Sequence, residues 1–196
     1  MLSEIRPAIV ATLFFTLLLG VGYPLLVTGI GKIAFPAQAE GSLIRLNGKV
    51  VGSRLIAQSF TRPEYLHPRP SAAGTNGYDA TSSSGSNLGP LNPDLAKHVK
   101  SAADGLRAEA PGMMVPADAV TSSGSGLDPD ISPANAERQA ARVAAARVVP
   151  EAEIRRIIAD HTRHPWLGFF GQPRVNVLET NLAFDAALPR RQTGGP

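Results

Sequence analysis

From Pro7 to Gly31 the chain carries no charged residue, and the run is bounded by Arg6 and Lys32. At about 1.5 Å per residue a helix of that length reaches about 37 Å, against a hydrocarbon core of about 30 Å. Its Leu, Phe, Val and Ile side chains each favour insertion by about 0.3–0.6 kcal/mol, with no charge penalty opposing them. A membrane-spanning helix is therefore expected, with the remainder of the chain folding in water. A cleaved signal peptide is the competing reading, since Arg6 supplies a positive start and Ala37-Gln38-Ala39 resembles a cleavage site. The run exceeds the usual signal core of about 7–15 residues, and Lys32 separates it from that triplet, so a retained anchor is preferred.

Charge does not fix the orientation. Arg6 precedes the span while Lys32, Arg45 and Lys49 follow it, a small bias toward a cytoplasmic domain. Long segments, however, translocate largely regardless of charge. Within the span, Pro24 is expected to kink the helix and free a carbonyl. Gly20, Gly22, Gly29 and Gly31 permit close approach of another helix, although no two are four residues apart.

Residues 41–196 hold 17 of 19 basic and 14 of 16 acidic side chains, spread without a basic block, which argues against nucleic acid as a partner. Cysteine is absent, so disulfides and thiolate metal sites are excluded. About 155 residues suit one modest domain, and frequent Gly and Pro imply long loops around a small core.

Asn47-Gly48 lies between two apolar-rich runs, Ser42–Leu46 and Val50–Gln58, and predicts an antiparallel hairpin. Phe60–Pro90 reads as irregular chain. Asn92-Pro93 and Ser132-Pro133 each predict a helix start, running to about Glu109 and Arg147. A stripe of Leu95, Val99, Ala102 and Leu106 marks the first, and Arg138 and Arg142 share a face of the second. A third helix is expected from about Pro150 to Thr162, with Ile154, Ile157 and Ile158 together. Alternation over Arg174–Asn181 predicts a strand. The expected class is α+β: one transmembrane helix, then a small mixed domain with long Gly/Ser/Pro-rich loops.

Two stretches, Ser83–Pro90 and Ser122–Pro129, invite an anion-nest reading through Ser84, Gly85, Ser86 and Asn87, and through Ser123, Gly124, Ser125 and Gly126. Neither carries the Lys-Ser or Lys-Thr pair of a phosphate loop, and tight structural turns are preferred. His161 and His164 lack the further ligands of a metal site, Asp128-Pro129-Asp130 lacks a calcium-loop pattern, and no nucleophile turn occurs. No catalytic or metal residue is assigned. For Arg138 and Arg142 a solvated face is preferred over ion pairs with Asp118, Asp128 or Asp130, or with a neighbouring protein.

Several ordered blocks carry a resemblance. They include Tyr23-Pro24-Leu25-Leu26, Gly52–Phe60 (GSRLIAQSF), Tyr65–Ala72 (YLHPRPSA), Ser84–Pro93 (SGSNLGPLNP), Val120–Pro133 (VTSSGSGLDPDISP), Gln139–Arg147 (QAARVAAAR) and Gly171–Asp185 (GQPRVNVLETNLAFD). In these the chain resembles the C subunit of the bacterial Kdp-type potassium-transporting ATPase, over nearly its whole length. One departure is the serine-rich Ala80–Ser84, where relatives tend to have glycine.

The resemblance implies a non-catalytic accessory subunit of an inner-membrane complex. Its partners would be a channel-like potassium-binding subunit, a P-type ATPase subunit and a small single-span subunit. ATP and potassium would be handled by the complex, with no cofactor bound here. It further implies a catalytic chaperone role that raises the ATP affinity of the ATPase subunit, and a soluble domain outside the cytoplasm. The layout that follows is a cytoplasmic tail at 1–6, a span at 7–31, a linker at 32–40, a soluble domain at 41–188 and a disordered tail at 189–196. Docking is expected at Gly20, Gly22 and Pro24 in the span, and at Asn87, Leu88, Asp128 and Arg142 in the domain. The alternatives are a nucleotide-binding regulator using the two Ser/Gly loops, and a cell-envelope enzyme.

Overall fold

The uncharged run does form one long helix. The structure, a computed structural model, describes residues 2–188; the tail expected to be disordered at 189–196 lies outside the described residues. Residues up to Ser53 make one compact unit and those from Arg54 onward a second.

In the first unit a short 3-10 turn at Leu2–Glu4 leads into α1 (Ile5–Leu17), a π-helical stretch at Leu18–Gly22, and α2 (Tyr23–Ala34). Together Ile5–Ala34 is long and apolar enough to cross a membrane, with none of its side chains buried. The π stretch is the local answer to Pro24. That residue has no N–H to offer the Gly20 carbonyl, and its ring crowds the turn before it. The Tyr23 N–H instead reaches back five residues to the Leu18 carbonyl, the wider turn that often marks such a site. A single further turn, α3 (Pro36–Ala39), follows.

The hairpin is β1 (Leu43–Leu46) and β2 (Lys49–Ser53), with Asn47 and Gly48 at φ 50° and 79°, as a type I′ turn requires. The second strand stops at Ser53, short of the expected Gln58. Beyond it the Ala57 N–H donates to the Leu127 carbonyl (2.9 Å), so this stretch belongs to the second unit's packing.

The second unit is built on helices. α4 (Pro93–Glu109) starts where the Asn92 side chain accepts from the Asp94 N–H. α5 (Ala117–Val120) is one turn. β3 (Asp130–Ile131) precedes α6 (Pro133–Arg147), capped by Ser132, whose Oγ accepts from the Asn135 N–H. α7 (Glu151–Asp160), β4 (Thr162–Arg163), β5 (Arg174–Asn176) and α8 (Val177–Ala187) complete it. Strand β5 lies between β3 and β4, antiparallel to both.

The expected strand over Arg174–Asn181 is thus corrected to three residues of strand and then helix. Asn176 is the turning point, because its side chain accepts from the Glu179 N–H and caps α8. Val175, Asn176, Val177 and Leu178 are all buried, so the two faces read from alternation do not exist. The core gathers Leu66, Ile131, Ala140, Val143, Ile154, Ile158, Val175 and Phe184. α6 contributes the small Ala136, Ala140 and Ala144 to this core.

Candidate functional site: the zipped Ser/Gly loops and the cleft beside them

The two Ser/Gly stretches meet. The Ser84 N–H and the Ser83 hydroxyl both donate to the Ser125 carbonyl (3.0 Å each). Gly85 lies so close to the second loop that a Cβ there would stand 3.0 Å from the Gly124 carbonyl oxygen. Gly126, at φ 66°, has no room either, since its Cβ would strike the Ser84 carbonyl oxygen and sit 2.8 Å from the Ala73 nitrogen. Glycine at these positions allows backbone to lie against backbone. Ser71 locks the pair from below: its hydroxyl donates to the Gly126 carbonyl (2.6 Å) and accepts from the N–H groups of Ala73 and Tyr78.

Beside this ledge lies a cleft of about 490 Å³, lined by Ser86, Leu88, Leu95, His98, Val99 and Thr121 among others. Leu95, Val99 and Ala102 of the stripe read on α4 line it, and Leu106, a turn further on, is half-buried like them. A second cleft of about 480 Å³ has Asp118, Asp128, Asp130, Arg69 and Arg174 in its wall. Each of its carboxylates is engaged. Asp128 pairs with Arg69 (3.0 Å) and Asp130 with Arg174 (2.9 Å), while Asp118 accepts from the N–H and hydroxyl of Ser132 (both 2.8 Å). Burial raises the Asp130 carboxyl above its ordinary range, against the pull of Asn176 and Arg174. Among the described residues no cluster of His, Asp and Glu fit for a metal occurs.

Of the expected site residues, Ser84, Gly85 and Ser123–Gly126 come together in the ledge, and Ser86 and Leu88 line the cleft. Asn87 adopts φ 52° in the turn between them. Asp128 is reached through Arg69, which also donates to the Thr121 and Ser122 carbonyls and so fastens the second loop. Gly20, Gly22 and Pro24 belong to the first unit, where Gly20 shares a shallow groove with Ala11, Thr12 and Thr16.

Arg142 sits elsewhere, and the solvated face expected for it and Arg138 is corrected. Arg138 is buried and Arg142 half-buried, and they pair with Glu109, the last residue of α4, at 3.2 and 2.7 Å, rather than with Asp118, Asp128 or Asp130. Arg142 also donates to the carbonyls of Pro63 (2.7 Å) and Tyr65 (3.1 Å).

Two side chains that sequence reasoning passed over do the same work. Gln139 exchanges hydrogen bonds with the backbone of His67 (2.8 and 3.1 Å), and Asn181 with that of Leu66 (2.7 and 2.9 Å). Each amide imitates a neighbouring strand, so the irregular Phe60–Pro90 stretch keeps its buried backbone satisfied. The available signal was a polar amide inside an otherwise apolar helix face. His67 lies in this junction, and burial, with the Arg142 charge beside it, lowers its pKa below the usual histidine value.

The family model for KdpC, the K+-transporting ATPase c chain, matches residues 5–186. The chain belongs to the KdpC family. Curated relatives named potassium-transporting ATPase KdpC subunit include one from Caulobacter sp. (strain K31), 61% identical over all of both chains. Another from Beijerinckia indica is 61% identical over 96% of each, and one from Polaromonas naphthalenivorans 54% identical over 99% of this chain and all of its own. As a KdpC-family member the chain is an accessory subunit of a potassium-uptake ATPase, without catalysis of its own. It is a single-pass membrane protein whose α+β domain lies outside the cytoplasm.

Proposed function

We propose that this chain serves its potassium-transporting complex as a rigid docking body, held beside a channel-like potassium-binding subunit by the ledge and cleft of the second unit. The observation that carries the reading is an open, apolar-and-hydroxyl cleft set against loops that cannot move independently. Preorganised loops spend little ordering free energy on association. The span, with its π turn and small-residue groove, would pack against helices of the same channel-like subunit, of the P-type ATPase subunit and of a small single-span subunit. Replacing Leu88 and Leu95 together by Asp in the full chain should abolish co-purification with the channel-like subunit from gently solubilised membranes, with circular dichroism unchanged. Undiminished co-purification would refute the cleft as the docking surface.

A catalytic chaperone role fits this reading through indirect coupling. A domain outside the cytoplasm reaches cytoplasmic ATP only by biasing the span and its partners, a coupling typically of about 1–3 kcal/mol. The competing proposal, direct nucleotide binding by Ser84–Asn87 and Ser123–Gly126, requires those loops to face a phosphate while the Ser84 N–H is held by Ser125. Calorimetric titration of the full chain with ATP separates the two: indirect coupling expects no saturable heat, and a clear saturation curve would favour direct binding.

A further inference from the structure

Between β4 and β5 the segment Pro165–Gly171 (PWLGFFG) folds into a tip of its own. Trp166 and Phe170 form a bridge, the Trp166 N–H donating to the Phe170 carbonyl (3.1 Å) and the Phe170 N–H returning to Trp166 (3.0 Å). Leu167 and Gly168 turn the chain at φ 52° and 81°, a tight turn of the type favoured by hairpins. The Gly168 N–H donates to Pro165 and the Phe169 N–H to Trp166. Phe170 stacks on Phe169 with centroids 4.3 Å apart and on Trp166 at 5.8 Å. Yet Trp166, Leu167, Phe169 and Phe170 remain 70, 65, 69 and 56% exposed. Four large, exposed apolar side chains within one hydrogen-bonded five-residue turn are far from ordinary surface scatter.

We propose that this tip is a lipid-interface anchor, seating Trp166, Leu167, Phe169 and Phe170 at the boundary between headgroups and acyl chains of a bilayer. Four features favour lipid over a protein pocket. The tip satisfies the N–H groups of Trp166, Gly168, Phe169 and Phe170 within itself, which is what backbone must do on entering hydrocarbon. Apart from the indole N–H, it offers no side-chain hydrogen-bonding group with which a protein rim could be matched. Its base carries His161, Arg163, His164 and Arg174, with no carboxylate in the sequence between Asp160 and Glu179. Arg163 pairs with Glu179 and Arg174 with Asp130, and both arginines stay nearly half exposed, in reach of anionic headgroups. Finally, covalent attachment to a membrane span keeps a bilayer at high effective concentration for the second unit.

Trp166 is the only tryptophan in the chain, so its fluorescence reports the tip directly. The full chain is reconstituted into phosphatidylcholine vesicles holding about one-third phosphatidylglycerol, with and without brominated phosphatidylcholine. Insertion predicts blue-shifted emission, protection from acrylamide and roughly twofold quenching by brominated lipid. In the Phe169→Ser/Phe170→Ser variant that quenching should be lost while far-ultraviolet circular dichroism is unchanged. Emission typical of water, open to acrylamide and indifferent to bromine, would overturn the proposal. Protection that arises only when partner subunits are assembled would overturn it equally, and would assign the tip to a protein pocket.

Discussion

Removing Asp185 while leaving Arg147 in place tests the packing logic of the second unit. The Arg147 side chain is fully buried, pairs with Asp185 at 2.9 Å, donates to the Glu64 carbonyl at 2.9 Å, and lies 5.3 and 5.4 Å from the Tyr65 and Phe184 ring centroids. Deleting one partner of a buried pair strands the other charge, at a cost of about 3–5 kcal/mol. Asp185 also accepts from the Tyr65 hydroxyl (3.0 Å), whose loss adds about 1 kcal/mol. For a unit of this size each kcal/mol moves the melting midpoint by about 3–5 °C, so Asp185→Ala should lower it by roughly 12–30 °C. Asp185→Asn, which keeps an acceptor for Tyr65, should fall between. The Arg147→Met/Asp185→Leu double variant should recover most of the loss, because apolar replacement of a buried pair is often neutral. Thermal melts of the full chain in detergent, followed at 222 nm, read all three. A drop below about 3 °C for Asp185→Ala, or a double variant no better than the single one, would refute the reasoning.

Gly126→Ala should destabilise the second unit by about 2–4 kcal/mol, through a strained φ and collision with the first loop, whereas Gly124→Ala, with open space around it, should change little; paired melts check the contrast. Asn176→Ala removes the α8 cap and the bonds to the Arg54 carbonyl (2.9 Å) and Asp130 (3.0 Å), for a loss of about 2 kcal/mol or more by denaturant titration. His67 has a folded-state pKa below its unfolded value, so the unfolded chain binds the proton first. Stability should therefore decline as pH falls below about 6.5, and less so in His67→Gln, as melts at pH 7.5 and 5.5 would reveal.

Local chemistry was legible wherever the sequence wrote it within a few residues. Asn92-Pro93 and Ser132-Pro133 mark helix starts because cap and first-turn proline act within one turn. Asn47-Gly48 marks its hairpin because its left-handed backbone needs those residue types. The strand misread at Arg174–Asn181 had its correction in the same window, for Asn176-x-x-Glu179 is a cap pattern that outweighs four alternating residues. Pro24 announced a disturbance in the span, and the π turn is its concrete form. The arginines were not legible. Nothing in an alanine-rich helix reveals that Glu109, 29 and 33 residues upstream, will lie over Arg138 and Arg142. The ledge was half visible: composition marked both loops as turns, and only the fold brings Ser84 to Ser125.

The amide staples at Leu66 and His67 also set a timetable for biosynthesis. Asn181 follows Leu66 by 115 residues. At about 5–20 residues per second the ribbon around Leu66 waits about 6–23 s for that acceptor to be made. Until α8 exists, the N–H and carbonyl of Leu66 lack the one amide that holds both of them in the folded unit.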